Sequence, residues 1–195
     1  MLTEKKELAA LVRRVQKGDL EAFEVIYERF FDSVYAYVFR QVGSHADTED
    51  IVSGVFLAAF EKIGKFSWRG AGFAAWLFCI ARYDVLDHFR RLGSPARKVA
   101  LLEDAEQLPD QASVEKTAER KWDQQELRDA VDRLSEEQRQ VVLLKLMFDF
   151  TNKQIAEVLD KNEGAVKALR HRALLSLRRI LEGQEPGPKI GLEDD

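Results

Sequence analysis

The 195-residue chain has one cysteine, three histidines and four prolines, and its apolar runs are shorter than the roughly 18 to 20 residues that a membrane helix needs. Cys79 alone cannot form an internal disulfide, and the scattered histidines lack zinc-like spacing. The first residues, MLTEKKELAALVRR, lack the apolar centre of a signal peptide. We therefore expect a cytoplasmic protein that uses no cofactor and no structural metal.

Strand-like alternation is also lacking, whereas apolar residues recur at helical spacing through most of the chain. The prolines lie only at positions 95, 109, 186 and 188, outside these helical patterns. The predicted fold class is all-α, with two small helical domains joined by a flexible linker. The expected segments are a first domain 1–93, a linker 94–112, a second domain 113–182 and a disordered acidic tail 183–195.

Glycines mark the helix boundaries of the first domain. Gly18 and Asp19 separate a first helix from a second one over 22–42. A third helix is predicted over 48–63, and the loop SWRGAG precedes a fourth over 73–92. Basic residues alternate with an aromatic residue on one side of this fourth helix, a pattern that suits a single strand whose bases can stack.

Capping boxes at Ser135–Gln138 and Thr151–Gln154 predict two helix starts in the second domain. A turn at 160–162 follows the second of these helices and leads to a longer helix over 164–181, capped by Asn162. This arrangement is a helix-turn-helix. The side of the longer helix opposite its apolar arc is basic, so it can face DNA although the net charge of the chain is −4.

Five segments occur in a fixed order: GDLEAF, DTEDIVSGVFLAAF, AWLFCIARYDVLDHFRR, LSEEQRQVVLLKL and QIAEVLDKNEGAVKALRHRAL. In order and spacing they resemble bacterial RNA polymerase sigma factors of the extracytoplasmic-function (ECF) type, over roughly 18–92 and 113–182. The resemblance implies a first domain, sigma region 2, that docks onto core RNA polymerase and opens the minus-ten promoter element. It implies a second domain, sigma region 4, that reads the minus-thirty-five element, and an anti-sigma factor as a further partner.

The resemblance also assigns roles to individual residues. Polymerase docking is assigned to a group on the third helix: Asp47, Glu49, Asp50 and Ser53. Contact with minus-ten DNA is assigned to the loop and the fourth helix: Phe66, Trp68, Arg69, Arg82, Tyr83, Leu86, Arg90 and Arg91. Contact with minus-thirty-five DNA is assigned to the last helix: Lys167, Arg170, His171 and Arg172. The acidic linker resembles the family's segment that is threaded through the polymerase channels.

This chain departs from the family pattern at three places. Ser53 and Gly54 stand where a glutamine and an acid are usual, and a mid-helix glycine costs about 0.5 to 1 kcal/mol against alanine. Tyr83 replaces the usual asparagine. Leu169 and Arg170 reverse the common order of arginine and leucine, so we expect promoter specificity to differ from that of common members.

Other function classes explain fewer of these features. Cys79 has no histidine and acid placed to activate it, and no glycine-rich phosphate loop occurs, so we expect no enzyme. A self-sufficient helix-turn-helix regulator with a helical sensing domain is the main alternative, but it has no use for the acidic docking motif. A helical protein that only sequesters partners has no use for the arginines of the last helix.

Overall fold

The computed structural model describes residues 2–68, 70–93, 127 and 129–183. Within these residues the regular structure is helical, as the sequence predicts. In chain order the helices are α1 (Leu2–Val15), α2 (Leu20–Val42), α3 (His45–Lys62), α4 (Phe73–Arg91), α5 (Glu136–Leu146), α6 (Asn152–Leu159) and α7 (Glu163–Leu181). No helix in this described part is long and apolar enough to cross a membrane.

The described residues divide into two compact units. The first contains 2–93 together with 153–161, and the second contains 127–152 and 162–183. The expected linker 94–112, the start of the second domain and most of the expected tail lie outside the described residues. The expected segment boundaries therefore stay predictions.

Local capping explains where α2 and α3 begin. Asp19 accepts a hydrogen bond from the amide of Ala22 at 3.1 Å, and Gly43 ends α2 in the left-handed conformation with φ 74°. Ser44 accepts from the amide of Asp47 at 3.3 Å, so α3 begins at His45, three residues before the predicted start. The sequence prediction missed this serine cap.

The core of the first unit forms where α1 to α4 pack against one another. Its largest fully buried side chains come from all four helices and include Val12, Ile26, Tyr37, Val55, Phe73 and Phe78. The rings of Tyr37 and Phe78 lie 5.1 Å apart between their centroids and join α2 to α4. This packing fixes α3 and α4 side by side.

The core of the second unit is smaller and lies between α5, α7 and the helical residues 129–132. Its buried members are Ala130, Leu134, Val142, Ala173 and Leu177. The capping box at Ser135 and Gln138 is present at the start of α5, which confirms that prediction. Leu127, three residues before Ala130, is 41% exposed and lies outside this core.

Candidate nucleic-acid interface

The residues assigned to polymerase docking lie in the first half of α3. Glu49, Asp50 and Ser53 are exposed, whereas Asp47 is half-buried in the first turn beside its cap. The same exposed side continues to Leu57, which is 60% exposed. This side of α3 therefore offers carboxylates at one end and apolar surface at the other.

Gly54 lies at the edge of α3 that faces α4. A Cβ atom built on Gly54 would lie 3.7 Å from Oδ2 of Asp84, which is an ordinary van der Waals distance. Burial raises the pKa of Asp84; Lys62 lowers it, and Asp87 raises it further. The family pattern has an acid near position 54, and this chain lacks it there. A carboxylate from α4, that of Asp84, lies beside that position instead.

An aromatic cluster forms the base of the loop between α3 and α4. Phe66 is half-buried, and its ring centroid lies 5.4 Å from that of Phe73 and 5.1 Å from that of Trp76. The ring centroid of Trp68 lies 5.2 Å from that of Phe66, with the two rings nearly perpendicular, and Trp68 is 44% exposed. Part of Trp68 is therefore accessible to a base that stacks on it.

The loop is held from a distance by Gln16 of α1. Its side-chain amide donates to the carbonyls of Ile63 at 3.0 Å and Phe66 at 2.9 Å. Nothing in the local sequence pattern pointed to Gln16, because the hydrogen bond to Phe66 spans 50 residues. Arg69, which was assigned to minus-ten DNA, lies outside the described residues.

The assigned residues of α4 follow the outer side of that helix. Tyr83 is 54% exposed, Arg90 is exposed, and Arg82 and Leu86 are half-buried. Arg91 is also exposed and forms an ion pair with Asp87 one turn earlier. α4 therefore carries one exposed aromatic ring and three guanidinium groups, and its first residue adjoins the aromatic loop.

The turn before α7 and the start of α7 form as predicted. Asp160 adopts the left-handed conformation with φ 53°, which aspartate tolerates better than most residues. Asn162 caps α7 by accepting from the amide of Ala165 at 2.8 Å. The chain therefore runs from α6 through a three-residue turn into α7, in the order of a helix-turn-helix.

The predicted apolar and basic sides of α7 are both present. Val166, Leu169, Ala173 and Leu177 are buried, and Ile180 is partly buried at the end of this arc. On the other side, Lys167, His171 and Arg172 are exposed. Arg170 differs from these three, because it is half-buried and its Nη1 donates to Oδ1 of Asn152 at 3.3 Å.

Two family models match the chain in the order that the motifs predict. The model for sigma-70 region 2 matches residues 26–94, and the model for sigma-70 region 4 matches residues 124–177. A solved structure, the sigma factor RpoE in complex with the anti-sigma factor NepR from Bartonella quintana, has a similar fold. Its TM-score is 0.61 at 21% identity, over 82% of this chain and 96% of that one.

Curated relatives extend this similarity over most of the sequence. The chain is 37% identical to the ECF sigma factor BldN of Streptomyces coelicolor over 88% of its own length, and it spans 64% of that relative. It is 30% identical to the ECF RNA polymerase sigma-E factor of Haemophilus influenzae, over 84% of this chain and 89% of that protein. The chain belongs to the ECF family of RNA polymerase sigma factors.

Proposed function

We propose that this protein binds core RNA polymerase through α3 and directs transcription initiation at specific promoters. The observation that carries the proposal is the presence of both sigma-70 regions in one chain, with Glu49 and Asp50 exposed on α3 and Lys167 and Arg172 exposed on α7. A protein that only bound duplex DNA would need α7 but not the outer side of α3. The family and its chemistry support a cytoplasmic, non-enzymatic factor.

In this proposal the two units read two different DNA elements. The ring of Trp68 and the outer side of α4 hold the opened strand of the minus-ten element, since stacking on an aromatic side chain contributes about 1 to 3 kcal/mol per base. The exposed side of α7, with Lys167 and Arg172, enters the major groove of the minus-thirty-five element. If fully extended, the nineteen or so residues of the linker could span about 60 Å between the two DNA elements.

An anti-sigma factor is the third proposed partner. Leu57 and Phe60 on α3 are exposed by 60% and 39%, and Leu174 and Leu175 on α7 by 55% and 43%. Exposed apolar groups of this kind are typical of protein-binding surfaces. The complex of the Bartonella quintana relative with its anti-sigma factor supports this assignment.

The decisive experiment combines the purified chain with core RNA polymerase and a promoter library made from its native genome. We expect transcripts with defined start sites that depend on the chain, and stable association of the chain with core enzyme. Asp50→Asn removes one negative charge from α3 and should weaken that association. The matched control is Glu28→Gln, which removes the charge of an exposed acid on α2. Tight binding to a specific duplex without any association with core enzyme would instead establish the self-sufficient regulator.

A further inference from the structure

The exposed side of α7 carries an apolar line between two basic rows. At about 100° per residue, Ala168 and Leu175 lie along the middle of this side, and both are exposed, Leu175 by 43%. After Glu163 in its first turn, α7 contains no acidic residue. This side therefore suits a ligand that is acidic and apolar at once. Two exposed rows flank the apolar line: Lys167 and Arg178 on one side, and Arg172 and Arg179 on the other.

The sequence that follows α7 has this composition. Residues 184–195, QEPGPKIGLEDD, are called the tail here, and they lie outside the described part of the chain. Ile190 and Leu192 are the aliphatic residues of the tail, and Glu193, Asp194 and Asp195 follow them directly. The tail therefore offers apolar groups for the apolar line and adjacent carboxylates for the basic rows.

The distances allow the tail to reach both rows. α7 ends at Leu181, and Gly183 adopts the left-handed conformation, φ 68°, in which helices commonly end. Ten extended residues from Gly183 to Glu193 span up to about 33 Å, whereas Arg172 lies about 17 Å back along the helix axis. An acid after α7 already makes a contact of this kind, because Oε1 of Glu182 accepts from Nε of Arg178 at 2.7 Å.

We propose that the tail binds back along the exposed side of α7 and competes with DNA for it. Ile190 and Leu192 cover the apolar line, and the three acids lie between the basic rows. The inference rests on the proposed function, because that function makes this side of α7 the one that reads DNA. A tether this short gives the tail an effective concentration on the order of millimolar, so a weak contact suffices. Duplex DNA needs the same basic residues and has to displace the tail.

The first test measures the affinity of the full chain for a fluorescent mixed-sequence duplex of about 20 base pairs, by anisotropy at about 50 mM salt. The triple variant Glu193→Gln/Asp194→Asn/Asp195→Asn should bind on the order of three- to tenfold more tightly, because the competing ion pairs are lost. The control variant Glu24→Gln/Glu28→Gln/Asp32→Asn removes three exposed acids of α2 and should change the affinity much less. Equal gains would overturn the proposal, because they would reflect net charge alone.

The second test separates a docked tail from repulsion at a distance. Ile190→Ser/Leu192→Ser leaves every charge in place, and it should still raise the duplex affinity on the order of two- to fivefold, because apolar contacts with α7 are lost. A tail that merely repels DNA would give no gain in this variant. Unchanged affinity in the apolar variant would therefore overturn the docking, whatever the acidic variant does.

The third test locates the contact by the amide chemical shifts of the full chain. Neutralising the three acids should move the signals of residues 167–179 and leave those of α2 unchanged. The opposite pattern, or no change at α7, would overturn the proposal. Shift changes that vanish when the chain is diluted would also overturn it, because they would mean that the tail of a second copy binds there.

These outcomes are separate from those of the proposed function. If the chain directs normal initiation with core enzyme but the tail variants bind the duplex as the α2 control does, only the inference about the tail fails. If the three tests succeed but the chain never associates with core enzyme, the proposed function fails and the contact between the tail and α7 remains.

Discussion

Arg170 and Asn152 are joined by a hydrogen bond, 3.3 Å from Nη1 to Oδ1, that links the middle of α7 to the first residue of α6. Arg170 is one of the two residues whose order differs from the common family pattern. Its neighbour Leu169 is buried, so the reversed order keeps an apolar residue in the core and leaves the guanidinium half-buried. Arg170 and the exposed basic residues of α7 should therefore behave differently when they are substituted.

Arg172→Ala should weaken use of the chain's own promoter by about 1 to 3 kcal/mol if it contacts a base edge, without a change in thermal stability. Arg170→Ala should instead lower the melting temperature as well, because it removes the hydrogen bond to Asn152. Run-off transcription, differential scanning fluorimetry and core-binding titration measure the three properties. Asn152→Ala is the matched control, since it breaks the same bond from the other side. Loss of core association in Arg172→Ala would contradict this division of roles.

The loop before α4 allows a similar separation between fold and strand contact. Phe66→Ala removes a half-buried ring that touches three other aromatic rings, and it should destabilise the first unit by about 2 kcal/mol. Trp68→Ala removes a ring that is 44% exposed and should leave the melting temperature nearly unchanged. It should, however, reduce promoter opening, measured with 2-aminopurine in the minus-ten element and core enzyme present. An equal loss of thermal stability in both variants would show that Trp68 holds the fold.

Features encoded by neighbouring residues could be predicted from the sequence. The helix order, the cap Asn162 and the left-handed turn at Asp160 all depend on residue types and spacings within a few positions. The missed start of α3 also had a local signal in Ser44, which accepts from the amide three residues later.

Features that depend on the tertiary fold could not be predicted in this way. Gln16 reaches Phe66 across 50 residues, and Glu157 reaches Ala71 across 86 residues. Neither residue has a neighbour pattern that distinguishes it from an ordinary polar side chain on a helix. Cys79 shows the same limit, because an apolar helix predicts a core position, whereas its thiol is half-buried and donates to the carbonyl of Glu157.

Gly54 in the middle of α3 should be replaceable. Gly54→Ala should stabilise the protein by about 0.5 to 1 kcal/mol, because alanine loses less backbone entropy in a helix and its Cβ would meet Asp84 at an ordinary distance of 3.7 Å. Urea unfolding of the full chain measures the change. Gly70→Ala is the opposite control, since Gly70 has φ 83°, a backbone conformation in which a residue with a Cβ is strained. A destabilising Gly54→Ala would show that α3 and α4 need a closer approach than the structure has.

Asp84 should make stability depend on pH in a direction opposite to that of a paired carboxylate. Its pKa in the folded protein is raised above 3.8, mainly by burial, so the folded state holds the proton more tightly than the unfolded state. Stability is therefore lost as pH rises from about 3.8 through the raised folded pKa, and the deficit persists at neutral pH. Asp84→Asn should raise the melting temperature at pH 7, with a gain that shrinks as pH falls towards 3.8.

Asp87→Asn is the control for that change, because it removes a carboxylate of the same helix that is paired with Arg91. It should leave the melting temperature unchanged or slightly lower at pH 7, since an exposed ion pair contributes little. Thermal scans of both variants and the unsubstituted chain between pH 4 and pH 7 provide the comparison. A lower melting temperature for Asp84→Asn at pH 7 would mean that the charged carboxylate stabilises the α3–α4 packing, contrary to the burial argument.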